Sequence, residues 1–189
     1  MSEPRLIIII VVAVVVVVAI AAIAIRGSKR QRSARLRRQF GPEYDRAVQE
    51  HGNVTRAEAN LAERERRGRR IIVRSLSPDE HEKFAEAWRA AQSEFVDDPA
   101  QAVAEADRLV QELMNQRGYP VGDFERQAED ISVDHPVVVE NYRSAHAIAE
   151  RHRNGGAQTE ELREAMVHYR KLYDELLNPE TAVSIEVNR

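Results

Sequence analysis

A run of apolar residues near the N-terminus, residues 6–25, limits most strongly what this chain can fold into. The run contains no charge, amide, hydroxyl, glycine or proline. As an α-helix that rises about 1.5 Å per residue it would extend about 30 Å, the thickness of the hydrocarbon core of a bilayer. A core helix of a water-soluble protein nearly always keeps some polar face. The run therefore predicts a transmembrane helix over residues 6–25, preceded by a short extracytoplasmic segment, residues 1–5.

The charges on either side of this run predict its orientation. Cytoplasmic flanks of a membrane span carry an excess of lysine and arginine. The N-terminal flank contributes only Arg5, whereas residues 26–39 form a polybasic juxtamembrane linker. We therefore expect a single-pass protein of the inner membrane, with its N-terminus outside and its C-terminal domain in the cytoplasm. The cations expected to contact anionic lipid headgroups are Arg26, Lys29, Arg30, Arg32, Arg35, Arg37 and Arg38.

A cleaved signal peptide is an alternative interpretation of the same run. Signal peptides have a positively charged start and an apolar stretch of about 7–15 residues, whereas this run is longer and its start is barely charged. Residues 22–24, Ala-Ile-Ala, are compatible with a cleavage site, but a mature chain that began with seven cations would resist translocation. An outward-facing envelope protein is a further alternative, and it would require the opposite orientation.

The composition of the remaining chain excludes several kinds of chemistry. Cysteine is absent, which excludes disulfides, thiolate metal sites and cysteine nucleophiles. From Ser75 onward the chain carries 24 acidic and 12 basic side chains, and such an acidic body argues against nucleic-acid binding. A second basic cluster lacks interleaved aromatic residues, and we interpret it as a solvated helix end or a second lipid contact. Its members are Arg64, Arg66, Arg67, Arg69, Arg70 and Arg74.

Helix start signals recur along the rest of the chain. The clearest is Ser77, a capping hydroxyl that is followed by proline at the first helical position and by Glu80 at capping-box spacing. Asn53 precedes another helix, in which Thr55 and Glu58 have the same spacing. The remaining helix starts are predicted at Pro42, Asp98-Pro99, Phe124, Asp134-His135-Pro136 and Thr159.

Apolar residues recur at helical spacing within these segments, which predicts buried helix faces. One such stripe is formed by Phe84, Trp88, Ala91 and Phe95. Residues 71–73 and 183–187 could extend as strands, but neither segment has an obvious partner. The sequence therefore predicts an all-α fold, in which the transmembrane helix is followed by a cytoplasmic helical bundle over residues 40–178 and a tail at 179–189. Three or four helices are expected to form the core.

The usual metal and phosphate motifs are absent from the sequence. A di-iron bundle needs glutamate three residues before histidine on two helices, and none of the six histidines has an acidic residue at that position. The His-Glu-x-x-His zinc motif and the glycine-rich phosphate loops are also absent. We therefore predict no catalytic residue, no cofactor and no metal ligand, and we disfavour enzymatic activity.

One polar and aromatic cluster is nevertheless a candidate ligand site. Asp134 and His135 are explained by helix-cap chemistry, with Asp134 accepting a backbone N–H, and His146 borders an apolar stripe. Such a histidine is more often a hydrogen-bonded residue at the core edge than a ligand. A pocket for a small molecule or a metal is the alternative interpretation. The candidate residues are Tyr119, Asp134, His135, Tyr142 and His146.

Five segments have specific, recognisable sequences that together cover nearly all of residues 40–177. They are FGPEYDRAV (40–48), SLSPDE (75–80) with the following tryptophan, FVDDPAQAVAEADRLV (95–110), RGYPVGDFERQAEDISVDHPVVVENYRSAH (117–146) and AMVHYRKLYDELL (165–177). These segments resemble a widespread bacterial family of small uncharacterised proteins, many of which carry an N-terminal hydrophobic segment and are labelled hypothetical, membrane or secreted. The resemblance implies no catalytic residue, because none is assigned in the family.

Together these features favour a membrane-anchored interaction or scaffold module that is not an enzyme. Its expected partners are anionic lipid headgroups and either another protein or a second copy of the chain. The alternative function is a ligand- or metal-sensing or enzymatic helical domain that uses residues 134–146.

Overall fold

The computed structural model describes residues 3–120 and 122–178, and all regular secondary structure in these ranges is helical. The prediction of an all-α fold is confirmed. Residues 71–73 lie in an irregular connection, while residues 183–187 and the rest of the predicted tail lie outside the described residues. The helices are α1 (Glu3–Phe40), α2 (Pro42–His51), α3 (Val54–Gly68), α4 (Pro78–Glu94), α5 (Pro99–Gln116), α6 (Phe124–Asp134), α7 (Val139–Arg153) and α8 (Thr159–Leu177).

The first helix runs without interruption from the apolar run into the folded domain. With 38 residues it is about 57 Å long. Residues 26–39, predicted as a linker, are helical, and Leu36 and Phe40 are fully buried at its C-terminal end. The helix stops at Gly41, whose φ of 48° favours glycine, and Pro42 begins α2. The polybasic segment is therefore part of a helix whose last turns pack into the domain.

The predicted transmembrane span falls on the N-terminal half of α1. Among the residues that the structure describes, none of the helices has both the length and the apolar character needed to cross a bilayer. Most side chains between residues 3 and 25 lie outside the described residues. Three that are described, Val17, Ile20 and Ile23, are more than 60% exposed.

Two hydrophobic clusters pack the helices together. In the larger one, α8 packs on both α5 and α7, and α4 packs on α5. Trp88 of α4 stacks on Tyr173 of α8 with ring centroids 4.4 Å apart, and the Tyr173 hydroxyl donates a hydrogen bond to the Phe84 carbonyl. The smaller cluster joins α1, α2 and α3, and Val133 of α6 packs against it. The two clusters therefore meet where α3 packs against α6.

Side-chain caps begin several of the helices. The predicted capping box of α4 is confirmed, because the Glu80 amide donates to Ser77 Oγ at 3.2 Å and the Ser77 amide donates to Glu80 Oε2 at 2.9 Å. The box between Thr55 and Glu58 does not form. Asn53 caps α3 itself, accepting a hydrogen bond from the Thr55 amide at 2.8 Å, and Glu58 instead accepts a hydrogen bond from a tyrosine of α2.

Candidate functional site

The structure separates the five candidate ligand residues into four places. Tyr119 and Asp134 form a pair in which the Tyr119 hydroxyl donates to Asp134 Oδ2 at 3.1 Å. Asp134 is the last residue of α6, whereas α7 begins five residues later, after Val138, without a side-chain cap. The prediction that Asp134 caps the following helix is therefore wrong, because its carboxylate is bonded to Tyr119 instead.

His135 connects the turn after α6 to the last helix. Its Nδ1 lies 3.1 Å from Glu175 Oε1 on α8, and the side chain is only 11% exposed. This contact joins two elements that are far apart in the sequence. The role that the geometry gives His135 is to hold the turn between α6 and α7 against the bundle.

The two candidate tyrosines are buried hydrogen-bond donors. Tyr142 is fully buried, and its hydroxyl donates to Gln127 Oε1 at 3.3 Å. Burial raises the pKa of both Tyr119 and Tyr142 well above the ordinary value, and the carboxylates of Asp134 and Asp107 raise it further for Tyr119 and Tyr142, respectively. Both phenols are therefore neutral at physiological pH, and each donates a hydrogen bond to a side chain of α6.

His146 lies at the edge of an open cleft between α2, the start of α6 and α7. Its ring stacks on Phe124 with centroids 3.6 Å apart and planes 7° from parallel. Its Nε2 lies 3.7 Å from Glu150, whereas its Nδ1 is buried and has no hydrogen-bond partner among the described residues. The cleft has a volume of about 490 Å³ and is lined by Arg46, Asp123, Phe124, Glu125, Arg143, His146 and Ala147.

The polar side chains that line the cleft are in part engaged with their neighbours. Asp123 caps α6 by accepting a hydrogen bond from the Arg126 amide, and Glu125 is ion-paired to Arg143 at 2.5 Å. None of the described residues that line the cleft is a serine, threonine or cysteine. Within residues 3–120 and 122–178, no group of three or more acidic or histidine side chains is placed to hold a metal ion. An open cleft beside a neutral imidazole remains, where a ligand could accept or donate hydrogen bonds.

Lowering the pH should destabilise the domain through His146. Burial lowers the pKa of this imidazole, so the folded state binds a proton less readily than the unfolded state does. Stability is therefore expected to fall as the pH drops below about 6.5, the ordinary pKa of histidine. The His146→Gln variant should lose less stability than the wild-type protein between pH 7.5 and pH 5 in urea unfolding. An NMR titration that placed the pKa of His146 at or above its ordinary value would contradict this prediction.

Sequence reasoning missed a buried network of charged residues between the two hydrophobic clusters. Glu43 of α2 is only 1% exposed and lies 3.3 Å from Arg64 of α3 and 3.3 Å from Arg143 of α7. Arg64 also pairs with Glu129 of α6 at 3.1 Å. A signal was present, because Arg64 occupies a position on the stripe of Ala57, Leu61 and Gly68, where a charged side chain must be buried.

The second basic cluster is mostly paired with carboxylates. Arg64 is buried, and Arg67 lies 2.6 Å from Glu129 and 3.4 Å from Asp130. Arg69 and Arg74 pair with Glu65 and Glu80, respectively. The interpretation of this cluster as a solvated helix end or a lipid contact is therefore wrong for Arg64 and Arg67, because carboxylates of α2 and α6 enclose their guanidinium groups. Arg66, Arg69, Arg70 and Arg74 are exposed, and for these four the interpretation stays a prediction.

The seven cations of α1 divide into two groups. Arg35 forms a two-pronged ion pair with Glu65 at 2.7 and 2.8 Å, which raises the pKa of Arg35 and lowers that of Glu65. Arg37 lies over the Tyr44 ring at 4.8 Å, and Arg32 donates to a carbonyl of α3. All seven residues are exposed, but the other four form no ion pair with a described residue: Arg26, Lys29, Arg30 and Arg38.

No protein-family model, curated protein or solved structure matches this chain. The family resemblance of the five sequence segments therefore stays a prediction.

Proposed function

We propose that this protein is a single-pass inner-membrane protein whose cytoplasmic helical domain binds another protein or a second copy of the chain, without catalysis. The observation that carries the proposal is the continuity of α1, which extends unbroken from the apolar run to Phe40 in the smaller hydrophobic cluster. A domain attached through one continuous helix keeps a fixed distance from the segment that anchors it. Such an arrangement suits a protein that presents a binding surface at the membrane.

The anchoring itself is supported by the sequence and by the exposure of α1. Residues 6–25 are entirely apolar, and the side chains of Val17, Ile20 and Ile23 are exposed on the helix. Exposed apolar area is unfavourable in water by about 25 cal/mol per Å², and large exposed apolar surfaces mark contacts with membranes or with other proteins. The exposed cations that follow this run suit the anionic surface of the cytoplasmic leaflet.

The binding role is supported by what anchoring does to weak interactions. Confinement to a membrane raises the effective concentration of a domain toward partners in the same membrane, so a modest interface suffices for recruitment. The buried tyrosines and the cleft without a nucleophile support a role other than catalysis. The charge distribution, basic on α1 and acidic from Ser75 onward, allows either a basic partner or a second copy in a staggered arrangement.

Membrane fractionation tests the anchoring. We expect the full-length protein to stay in the membrane pellet after alkaline extraction, and a variant that begins at residue 26 to move to the supernatant. Protease added outside intact cells should leave the C-terminal domain uncut, and a C-terminal reporter that is active only in the cytoplasm should be active. Full-length protein in the soluble fraction would contradict the anchor, and external cleavage of the domain would favour the outward-facing alternative.

Cross-linking in intact cells tests the binding role. A cross-linker on the domain should capture one specific protein or a second copy of the chain, and the same product should be lost from the variant that begins at residue 26. Capture of no specific product from the full-length protein would count against an interaction module.

A ligand-binding role for the His146 cleft is the second candidate function. The observation that favours it is the buried, unpartnered Nδ1 of His146 beside a cleft of about 490 Å³. Thermal melting of the protein against panels of metals and metabolites tests it. No shift with any compound, together with unchanged stability of the His146→Ala variant, would rule out this role.

A further inference from the structure

A second groove, separate from the His146 cleft, lies between α1 and α2. Its volume is about 520 Å³. It opens along the face of α1 that carries the exposed cations, and Tyr44 of α2 forms its opposite side. The polar side chains that line it are Lys29, Arg30, Ser33, Arg37, Arg38 and Tyr44.

Positive charge dominates this groove. Lys29, Arg30 and Arg38 are exposed and form no ion pair with a described residue. Arg37 is held over the Tyr44 ring at 4.8 Å, and the nearest carboxylate, that of the exposed Asp45, is 3.9 Å away. Because guanidinium groups match the geometry of phosphate oxygens, three uncompensated cations in one groove favour a phosphate-bearing ligand.

The continuity of α1 sets the depth of the groove relative to the apolar run. Lys29 and Arg30 follow residue 25 by about 6 and 7.5 Å along the helix axis. The headgroup layer on each side of a bilayer is about 5–7 Å thick. Side chains on a helix also point toward its N-terminus, which here is the direction of the membrane. With residues 6–25 spanning the bilayer as proposed above, the end of the groove nearest the apolar run would lie at headgroup depth. Arg37 and Arg38, about 18–20 Å beyond residue 25, would lie on the cytoplasmic side of that layer.

We propose that this groove binds the phosphate of an anionic phospholipid headgroup. Lys29 and Arg30 contact the phosphate directly, and Arg38, which is farther from the apolar run, adds to the positive potential of the groove. The proposal rests on the membrane anchoring proposed above and goes further, because it assigns the lipid contact to one groove rather than to all seven cations. Arg26 and Arg32 are on the same helix, and their average position along its axis is close to that of Lys29 and Arg30. They do not, however, line the groove.

Binding of short-chain lipids to the full-length protein in a zwitterionic detergent tests the proposal. The probes are short-chain phosphatidylglycerol, short-chain phosphatidylcholine and inorganic phosphate. We expect the wild-type protein to prefer phosphatidylglycerol over both other probes. Because each cation near the surface contributes about 1 kcal/mol, or roughly five-fold, the Lys29→Gln/Arg30→Gln variant should bind phosphatidylglycerol about 25-fold more weakly. The Arg30→Gln change alone should weaken binding more than Arg38→Gln does.

The matched control is the Arg26→Gln/Arg32→Gln variant, which removes the same charge from the same helix and should weaken binding by less than about three-fold. Circular dichroism should show that both double variants melt as the wild-type protein does, since the substituted side chains are exposed. Equal losses of affinity in the two double variants would contradict binding in the groove and would show that the lipid binds a nonspecific basic surface. Binding of inorganic phosphate as tight as that of the lipid would assign the groove to a soluble anion. Full-length protein in the soluble fraction would instead contradict membrane anchoring, which the lipid-binding experiment does not measure.

Discussion

Replacing Glu43 by alanine should destabilise the domain by about 3–5 kcal/mol, the usual result of leaving buried charges without their partner. The Glu43 carboxylate is only 1% exposed and is the shared partner of Arg64 and Arg143, both of which are also buried. Without it, two guanidinium groups would face each other across a cavity. Urea unfolding of the full-length protein in detergent, followed by circular dichroism and by the fluorescence of Trp88, measures the loss.

The controls for this prediction are one milder and one exposed variant. Glu43→Gln keeps the volume and one acceptor oxygen, so its loss of stability should lie between those of the wild-type protein and the alanine variant. Glu82→Ala breaks an ion pair with Arg89 in which both side chains are more than 60% exposed, and it should cost less than about 1 kcal/mol. A similarly small loss for Glu43→Ala would contradict the prediction and would show that the remaining pairs, Arg64 with Glu129 and Arg143 with Glu125, suffice for the two buried guanidinium groups.

The Glu43 network also explains how the two hydrophobic clusters act as one unit. Glu43 belongs to α2, beside the helix that leads to the apolar run, whereas Arg143 belongs to α7 in the larger cluster. Glu129 of α6, paired with Arg64, lies at the junction of α3 and α6. Because these pairs are directional and buried, they fix the position of the larger cluster relative to α1. A binding surface on the larger cluster would then keep one orientation toward the membrane.

Local features of the fold were predictable from the sequence, because their causes are local. The capping box of Ser77 and Glu80 depends on residues three apart, and the structure contains it. The Asp98 cap of α5 forms for the same reason. The choice between competing hydrogen-bond partners, in contrast, could not be predicted from local sequence. Asn53 rather than Thr55 caps α3, and only the three-dimensional packing of α2 against α3 brings a tyrosine to the Glu58 carboxylate.

The candidate site was less predictable, because neighbours in the sequence point to different partners. Asp134 and His135 are adjacent, but one bonds to Tyr119 and the other to a glutamate of α8. His146 lies one helix further on and stacks on Phe124 at the cleft. The pairing of Glu43 with Arg143 bridges 100 positions of the chain, and no local pattern specifies such a partner. What the sequence did carry was a weaker signal, a charged residue at an inward helical position.

Gly118→Ala should destabilise the protein by about 2–4 kcal/mol, which is in the range of large single-residue effects. Gly118 has a φ of 93°, and a Cβ atom there would lie 2.6 Å from the carbonyl oxygen of Ile72. That oxygen belongs to the backbone of the connection before α4, which is held in place because the Arg74 amide donates to the Arg117 carbonyl at 2.9 Å. Arg117 is in turn fixed by the hydrogen bond from its Nη1 to the Leu176 carbonyl. Thermal and urea unfolding of the variant measure the loss.

Gly155→Ala is the matched control for this prediction. Gly155 also has a positive φ, 78°, but no atom lies within 4 Å of the position that its Cβ would occupy. Its substitution should therefore cost only the backbone strain, about 1–2 kcal/mol for a residue forced into the left-handed region. The difference between the two variants isolates the contribution of the close approach between Gly118 and Ile72. Equal losses would mean that the connection shifts freely, and residues 71–73 would then not be held against the end of α5 as the hydrogen bonds of Arg74 and Arg117 require.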